Sequence, residues 1–259
     1  MSLNQNVYDV SSKPIITIDL SEYVLNAVDF MYKRGVRRLA VKSGNKIVGI
    51  FSAFSLLNVL LEGSDASSLS ISSVELENSV FVDKITPIKD AIKIMGDKSL
   101  TSLLVGNEEN VYGMFTTHDI VEILSKSSFR NSVYYVLKAD YPKLEINKNK
   151  VRDVIDLMVN KLSSGVIIVD NDYYLGVITL RDILKTYADQ GIKALDLELN
   201  ALPIIEGVYS DIGSTISELA SLMYIKGSDV AAIFCGNSLC GGVDDLALFN
   251  YLYSNLNKE

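Results

Sequence analysis

A chain of 259 residues with 48% hydrophobic content can bury a sizeable core, as one large domain or as several small ones. Its formal charge of −8, from 24 Lys and Arg against 32 Asp and Glu, argues against a general nucleic-acid surface, because phosphate backbones are held by clustered basic side chains. No apolar run approaches the ~20 residues that span a bilayer, and MSLNQNVYDV lacks the basic and apolar regions of a signal peptide, so a cytoplasmic protein with no membrane contact is expected.

The first predicted element is a strand at PIITI (14–18), followed by a helix whose Val24, Ala27, Val28 and Met31 form one apolar stripe at 3.6 periodicity. LAVKSGNKIVGIF (39–51) reads as two short strands around a turn, and a second amphipathic helix carries Leu56, Leu57 and Leu60. After the serine-rich loop GSDASSLSISS (63–73) the order returns. Strand SVFV leads to a helix with Ile88, Ala91, Ile92 and Met95, hairpin LLVGNEENVYGMF, and a helix with Ile120, Val121 and Leu124. SKSSFRNSVYYVLKAD (125–140) is the longer mid-chain break. Beyond it, strand KLEI precedes a helix with Val151, Val154, Ile155 and Met158, hairpin VIIVDNDYYLGVI, and a helix with Ile183, Leu184 and Tyr187. The last round has a less clear strand, PIIEGV, then a helix with Ile216, Leu219, Ala220 and Met223, hairpin AIFCGNSLCGGV, and a helix with Leu248, Phe249 and Leu252. Thr86 before Pro87, Asn149 and Ser214 stand where helix caps are expected, with Pro87 at the first helical position.

These rounds are one repeat. Gly49, Gly113, Gly176 and Gly241 follow at intervals of 64, 63 and 65 residues, and Met31, Met95, Met158 and Met223 each lie 18 residues before the glycine of their round. The unit is β-α-β-β-α, an α/β fold, and the methionines belong to its core rather than to a metal or cofactor box. A unit of ~60 residues buries too small a share of its surface to be secure alone, so the units are expected to pair. Two modules result, 1–128 (units about 10–62 and 75–127) and 138–259 (units about 141–190 and 200–256), with the boundary near 128–140.

Two stretches, GMFTTHDIVEIL (113–124) and GVITLRDILKTY (176–187), share the frame GxxTxxD at the start of the last helix. An ionised carboxylate accepts two hydrogen bonds from a vicinal diol, and a threonine hydroxyl at a helix N-terminus meets an anion where backbone N–H groups already favour one. Gly113, Thr116 and Asp119 form one complete frame; Gly176, Thr179 and Asp182 form the other, with His118 and Arg181 as candidate phosphate partners. The competing reading is a simple helix cap, and repetition in register favours the ligand. In the first unit Ser52 and Ser55 replace the pair, and Ser55 offers no carboxylate; in the fourth, Asp244 and Ala247 do, so a negative charge faces the expected phosphate. Those two clefts are expected to be empty or to select something else. His118 is the only histidine and a poor metal candidate, with solvent exposure as its other reading. Cys235 and Cys240 flank the turn GNSL, too few ligands for zinc, and free buried thiols are expected there. No nucleophile with a matching histidine, P-loop lysine motif or metal cluster points to catalysis, so the chain is not expected to be an enzyme.

Unit size, element order and GxxTxxD together resemble the CBS domain, and two in tandem resemble a Bateman module; the likeness covers nearly the whole chain in four repeats. The resemblance implies a regulatory protein that needs no cofactor and binds adenosine ligands, AMP, ADP or ATP, or less often S-adenosylmethionine, in clefts between paired repeats, signalling to a protein partner. It also implies that the aspartate holds the ribose and the threonine, with nearby basic residues, the phosphate. By family geometry the cleft of Asp119 combines Met114, Thr116 and His118 with Ile16, Arg37, Arg38 and Leu39 of the first repeat. The cleft of Asp182 combines Val177, Thr179 and Arg181 with Val208, Asp229 and Val230 of the fourth. Two arginines against one carboxylate predict that the first site prefers more phosphates and the second fewer. A ligand-free scaffold and, against the charge, a nucleic-acid-binding regulator are the other classes. Four repeats can close as a disc within one chain or as a homodimer.

Overall fold

The computed structural model describes residues 3–204 and 206–256. A short helix α1 (Val7–Val10) is followed by the first unit: β1 (Thr17–Asp19), α2 (Val24–Arg34), β2 (Arg38–Ser43), β3 (Lys46–Ser52) and α3 (Ala53–Leu61). The second comprises β4 (Phe81–Val82), α4 (Ile88–Asp97), β5 (Ser102–Gly106), β6 (Val111–Thr116) and α5 (Thr117–Ser125). The third has β7 (Lys143–Glu145), α6 (Val151–Lys161), β8 (Gly165–Asp170), β9 (Tyr173–Thr179) and α7 (Leu180–Gln190). β10 (Val208–Asp211), α8 (Ile216–Lys226), β11 (Val230–Cys235), β12 (Ser238–Asp244) and α9 (Asp245–Leu256) complete the fourth.

Each unit builds one three-stranded sheet, its first strand parallel to the second and the second antiparallel to the third. In the third hairpin the turn requires positive φ at both Asn171 (48°) and Asp172 (65°), residues whose short polar side chains tolerate the left-handed region. Every hairpin then slips register by one residue just before the frame glycine is reached, so that the third strand turns into its helix at the same place four times.

Helix starts differ from expectation by one residue. The N-caps are Pro87, Lys150 and Thr215, each one position after the residue expected to cap. At Lys150 and Thr215 the reason lies in the acidic side chains at N3: Asp153 accepts from the Lys150 N–H (2.7 Å) and Glu218 from that of Thr215 (2.8 Å), which fixes the first turn from inside the helix. The weak strand of the fourth unit is also displaced, beginning at Val208; Ile205, inside the expected stretch, lies outside the described residues.

The apolar stripes meet in two ways. Helices of the first and third units share one core, in which Met31, Met158, Leu56, Leu184 and Tyr187 are buried, and helices of the second and fourth share another, with Met95, Met223, Leu124 and Leu248. The sheets pair differently. Ala40 and Ile50 meet Leu104 and Met114 of the next unit, and Ile167 and Val177 meet Val230 and Ala232. Each unit thus faces one neighbour through its sheet and another through its helices, which removes both apolar faces from water.

The segments between units are bound rather than free. Residues 3–12 pair with the second unit through the bridges Asn6–Pro87 and Ser12–Met114, and the mid-chain break pairs with the fourth through Ser132–Thr215 and Lys138–Gly242. The serine-rich loop is pinned in the same manner by Tyr23–Ser70, and the segment after it by Ile50–Glu77, with Ala66 buried and donating its N–H to Tyr187 Oη (3.1 Å). One expectation is overturned: Cys235 and Cys240 form a disulfide across the β11–β12 turn, and Cys235 is exposed. The turn brings the two Cα atoms to 5.9 Å, within reach of a bridge, and places them outside the apolar core. No helix among the described residues is long and apolar enough to cross a membrane.

Candidate functional site

The frame residues sit where a third strand becomes a helix. Thr116 ends β6 in extended conformation and Asp119 reaches back to it: Asp119 Oδ2 accepts from the Thr116 N–H (2.6 Å) and hydroxyl (2.9 Å). Asp182 repeats the arrangement with Thr179, at 2.7 Å for both bonds. The cap reading is therefore correct for one carboxylate oxygen. Among the described residues Asp119 Oδ1 is left with the Ser12 hydroxyl at 3.5 Å, a marginal distance that leaves acceptor capacity. Burial pushes the Asp119 carboxyl up to about 6, against the Thr116 hydrogen bonds that favour its charge.

An open cleft of about 630 Å³, part of it continuous with solvent, is lined by Thr116, whereas Asp119, buried and bonded to Thr116, is not part of its lining. The lining brings Ile16, Arg37 and Arg38 of the first unit together with Met114, Thr116 and His118 of the second, as the sequence implied. Leu39 is not there; it is fully buried in the core of the first and third units, because strand alternation turns it to the opposite face. Ser12 and Pro14, from the arm before the first unit, were not foreseen, and no pattern in a short polar segment announces that it will cross to the second unit.

Arg181 also lines this cleft, although its sequence position assigned it to the cleft of Asp182. The cause is its place at the start of α7, on the side where the third unit meets the first. The other members of the Asp182 set are not gathered likewise. Val230 is fully buried and packs with Val177 between the sheets, and Val208 joins the helical core of the second and fourth units. Gly207, just before Val208, lies so close that a Cβ there would come within 2.6 Å of Val177 Cγ2, and this tight approach replaces the space that Ile15 lines in the first module.

Asp229 departs furthest from expectation. Rather than facing Asp182, its carboxylate accepts from His118 Nδ1 (2.7 Å) and pairs with Arg37 Nη1 (3.2 Å). Arg37 Nη2 pairs with Asp245 (3.1 Å), which also accepts from Thr117 Oγ1 (2.9 Å) and Ser164 Oγ (2.6 Å). All four units thus meet in one buried polar network, and equivalent positions supply it: Arg37, Ser164 and Asp229 immediately precede their second strands, and Thr117 and Asp245 begin their last helices. Burial would raise the Asp229 carboxyl, yet Arg37 and His118 hold it well below the usual range. Burial likewise disfavours the Arg37 charge, and Asp229 and Asp245 more than offset it. For Arg38 burial wins, since Glu77 stands 3.8 Å from Nε, and its pKa is lowered.

In the fourth unit Asp244 is fully buried, but no charge faces outward: Lys138 pairs with both its oxygens (3.0 and 3.2 Å), and the Ala247 N–H donates to Oδ1 (2.8 Å). Tyr141 packs over Gly242, where a Cβ would lie 2.6 Å from its ring. In the first unit Ser55 Oγ accepts from the Ser52 N–H (3.2 Å), keeping the cap without a carboxylate.

The model of the CBS domain matches residues 7–62, 71–126 and 138–189. Among solved structures, protein MJ1225 from Methanocaldococcus jannaschii, a proposed archaeal homologue of g-AMPK, is similar with a TM-score of 0.81 and 17% identity, over 95% of this chain and 99% of that one. An uncharacterised conserved protein from Pyrococcus horikoshii has a TM-score of 0.65 and 16% identity, over 96% of this chain and 100% of its own. No curated protein matches. At these identities the likeness speaks for fold, and the fourth unit, outside the matched segments, has the same strand order as the other three. With more than half of its length matched in three segments, the chain belongs to the CBS domain family.

Proposed function

We propose that this protein is a regulatory sensor that holds an adenine nucleotide, AMP, ADP or ATP, in the cleft beside Asp119 and signals by reshaping its surface to a protein partner, without chemistry on the ligand. The observation that carries the reading is the convergence of Thr116, Arg38 and His118 around one open cleft, with the buried Asp119 bonded to Thr116 and holding acceptor capacity on Oδ1. A carboxylate for a diol, a hydroxyl at a helix start and a guanidinium for an anion are what a ribose phosphate requires. Ile15, Ile16 and Met114 supply the apolar wall against which a base packs. The four-unit polar network gives the cleft a physical route to the whole molecule, because His118 lines the cleft and bonds the fourth unit.

Thermal melting with each nucleotide tests this directly. A ligand bound only by the native state at ~100 times its dissociation constant adds about 2.7 kcal/mol, a rise of several degrees for a chain of this size. A flat response to AMP, ADP and ATP with a rise in S-adenosylmethionine would move the reading to another adenosine ligand. A flat response to all four would leave a ligand-free scaffold.

A further inference from the structure

The basic groups around the Asp119 cleft are not equally available. Arg37 is 8% exposed and both its terminal nitrogens are committed, one to Asp229 and one to Asp245. His118 gives Nδ1 to the same Asp229. Among the described residues, Arg38 Nε and Arg181 Nε are buried without a hydrogen-bond partner, and both residues line the cleft. They come from different modules, one from the start of β2 and the other from the start of α7.

Counting charge sharpens the point. Arg37, Arg38 and Arg181 stand against Asp119, Asp229, Asp245 and Glu77, so the carboxylates already outnumber the guanidinium groups before any ligand enters. One anionic group can settle between the two unpartnered Nε–H donors, which then gain the partner that burial otherwise denies them. Each further phosphate would bring negative charge into a partly desolvated place where the remaining cation is taken.

We propose that the Asp119 cleft selects nucleosides carrying a single anionic group, a monophosphate over a di- or triphosphate, with Arg38 and Arg181 gripping that group from two modules and Asp229 and Asp245 excluding longer chains by holding Arg37. The inference rests on the adenosine reading above and reverses the preference that two free arginines would give.

Calorimetry on the full chain with adenosine, AMP, ADP and ATP, at one ionic strength and without divalent metal, decides it; the heat belonging to the cleft is the part that Asp119→Ala removes. AMP is expected to bind about tenfold or more tightly than adenosine, as charged hydrogen bonds imply, and ATP at least several-fold more weakly than AMP. Arg181→Gln, at a half-buried position, should bring AMP close to adenosine while leaving adenosine unchanged, and Asp229→Asn should narrow the gap between AMP and ATP. A wild-type cleft that binds ATP as tightly as AMP overturns the selectivity, as does an AMP-to-adenosine ratio unmoved by Arg181→Gln in a variant with a normal melting curve. Absence of binding by all four ligands instead removes the adenosine reading and this inference with it.

Discussion

The second and fourth units place the same backbone in the same setting and reach opposite ends. In each, an arm from before the preceding unit lays one residue against the position after the frame glycine: Ser12 on Met114, Lys138 on Gly242. Ser12 is short, stays 3.5 Å from Asp119 Oδ1 and leaves an open cleft beside it. Lys138 reaches Asp244 and, with Tyr141 over Gly242, fills the corresponding place from within the chain. A broken motif is therefore not an empty site but an internally satisfied one, and the arm, as much as the frame, decides whether a unit has room for a ligand.

Removing the internal partner is the strongest way to break this comparison. Lys138→Met keeps the aliphatic stem and leaves Asp244, fully buried, without its cation, the Ala247 N–H still donating to it. Breaking a buried pair costs ~3–5 kcal/mol, and because the Lys138 side chain is 32% exposed we expect about 2–4 kcal/mol at neutral pH by denaturant unfolding. Burial raises the Asp244 carboxyl while Lys138 opposes the rise, so loss of the lysine raises it further. A carboxyl raised in the folded state makes stability fall as pH increases through the window between its unfolded and folded values. The deficit should accordingly shrink toward pH 5, and a deficit indifferent to pH would show that the ion pair is not its source.

How much of this was legible in advance follows from the range of the interactions involved. Periodicity at Met31, Met95, Met158 and Met223 and the frame glycines record contacts within one unit, so four units and their buried faces could be read directly. Ile16, Arg38, Met114, Thr116 and His118 came together because the resemblance supplied the sheet-to-sheet geometry. The Arg37–Asp229 pair spans two modules, and neither residue carries a local sign that it will be turned inward rather than toward a ligand. Arms 3–12 and 132–138 are equally silent, since their docking depends on backbone bridges that any side chain permits. Family geometry misleads at Asp229: it assigns this carboxylate to the cleft of Asp182, whereas the partners that compensate its burial are Arg37 and His118.

A smaller effect sharpens the open half of the comparison. If Asp119 Oδ1 takes a ribose diol, binding requires the ionised carboxyl, whose protonation in the free protein is centred near pH 6 because burial raises it. Affinity should then be level above about pH 7 and fall roughly tenfold by pH 5, with a proton released on binding in that window. Asp119→Asn retains an acceptor for the Thr116 cap while losing the charge. It should weaken binding by about tenfold or more, equivalent to ~1.5–3 kcal/mol, and remove most of the pH dependence. Affinity that stays constant from pH 7.5 to pH 5 would mean that the carboxylate does not touch the ligand.

The least change is expected at Ser55, which isolates the cap from the ligand role. Ser55 Oγ accepts the Ser52 N–H at 3.2 Å, as Asp119 Oδ2 accepts that of Thr116 at 2.6 Å, so the two residues do the same structural work and differ in having a second oxygen to offer. Ser55→Ala removes one neutral bond and leaves the Ser52 N–H unpaired at a buried helix start, which should cost about 1 kcal/mol of stability. Nucleotide affinity should not change beyond the error of calorimetry, because the ligand in this reading sits in the other cleft of the module. Equal loss of affinity in Ser55→Ala and Asp119→Asn would mean that the cap, acting through the helix it starts, and not the free carboxylate oxygen, is what the ligand depends on.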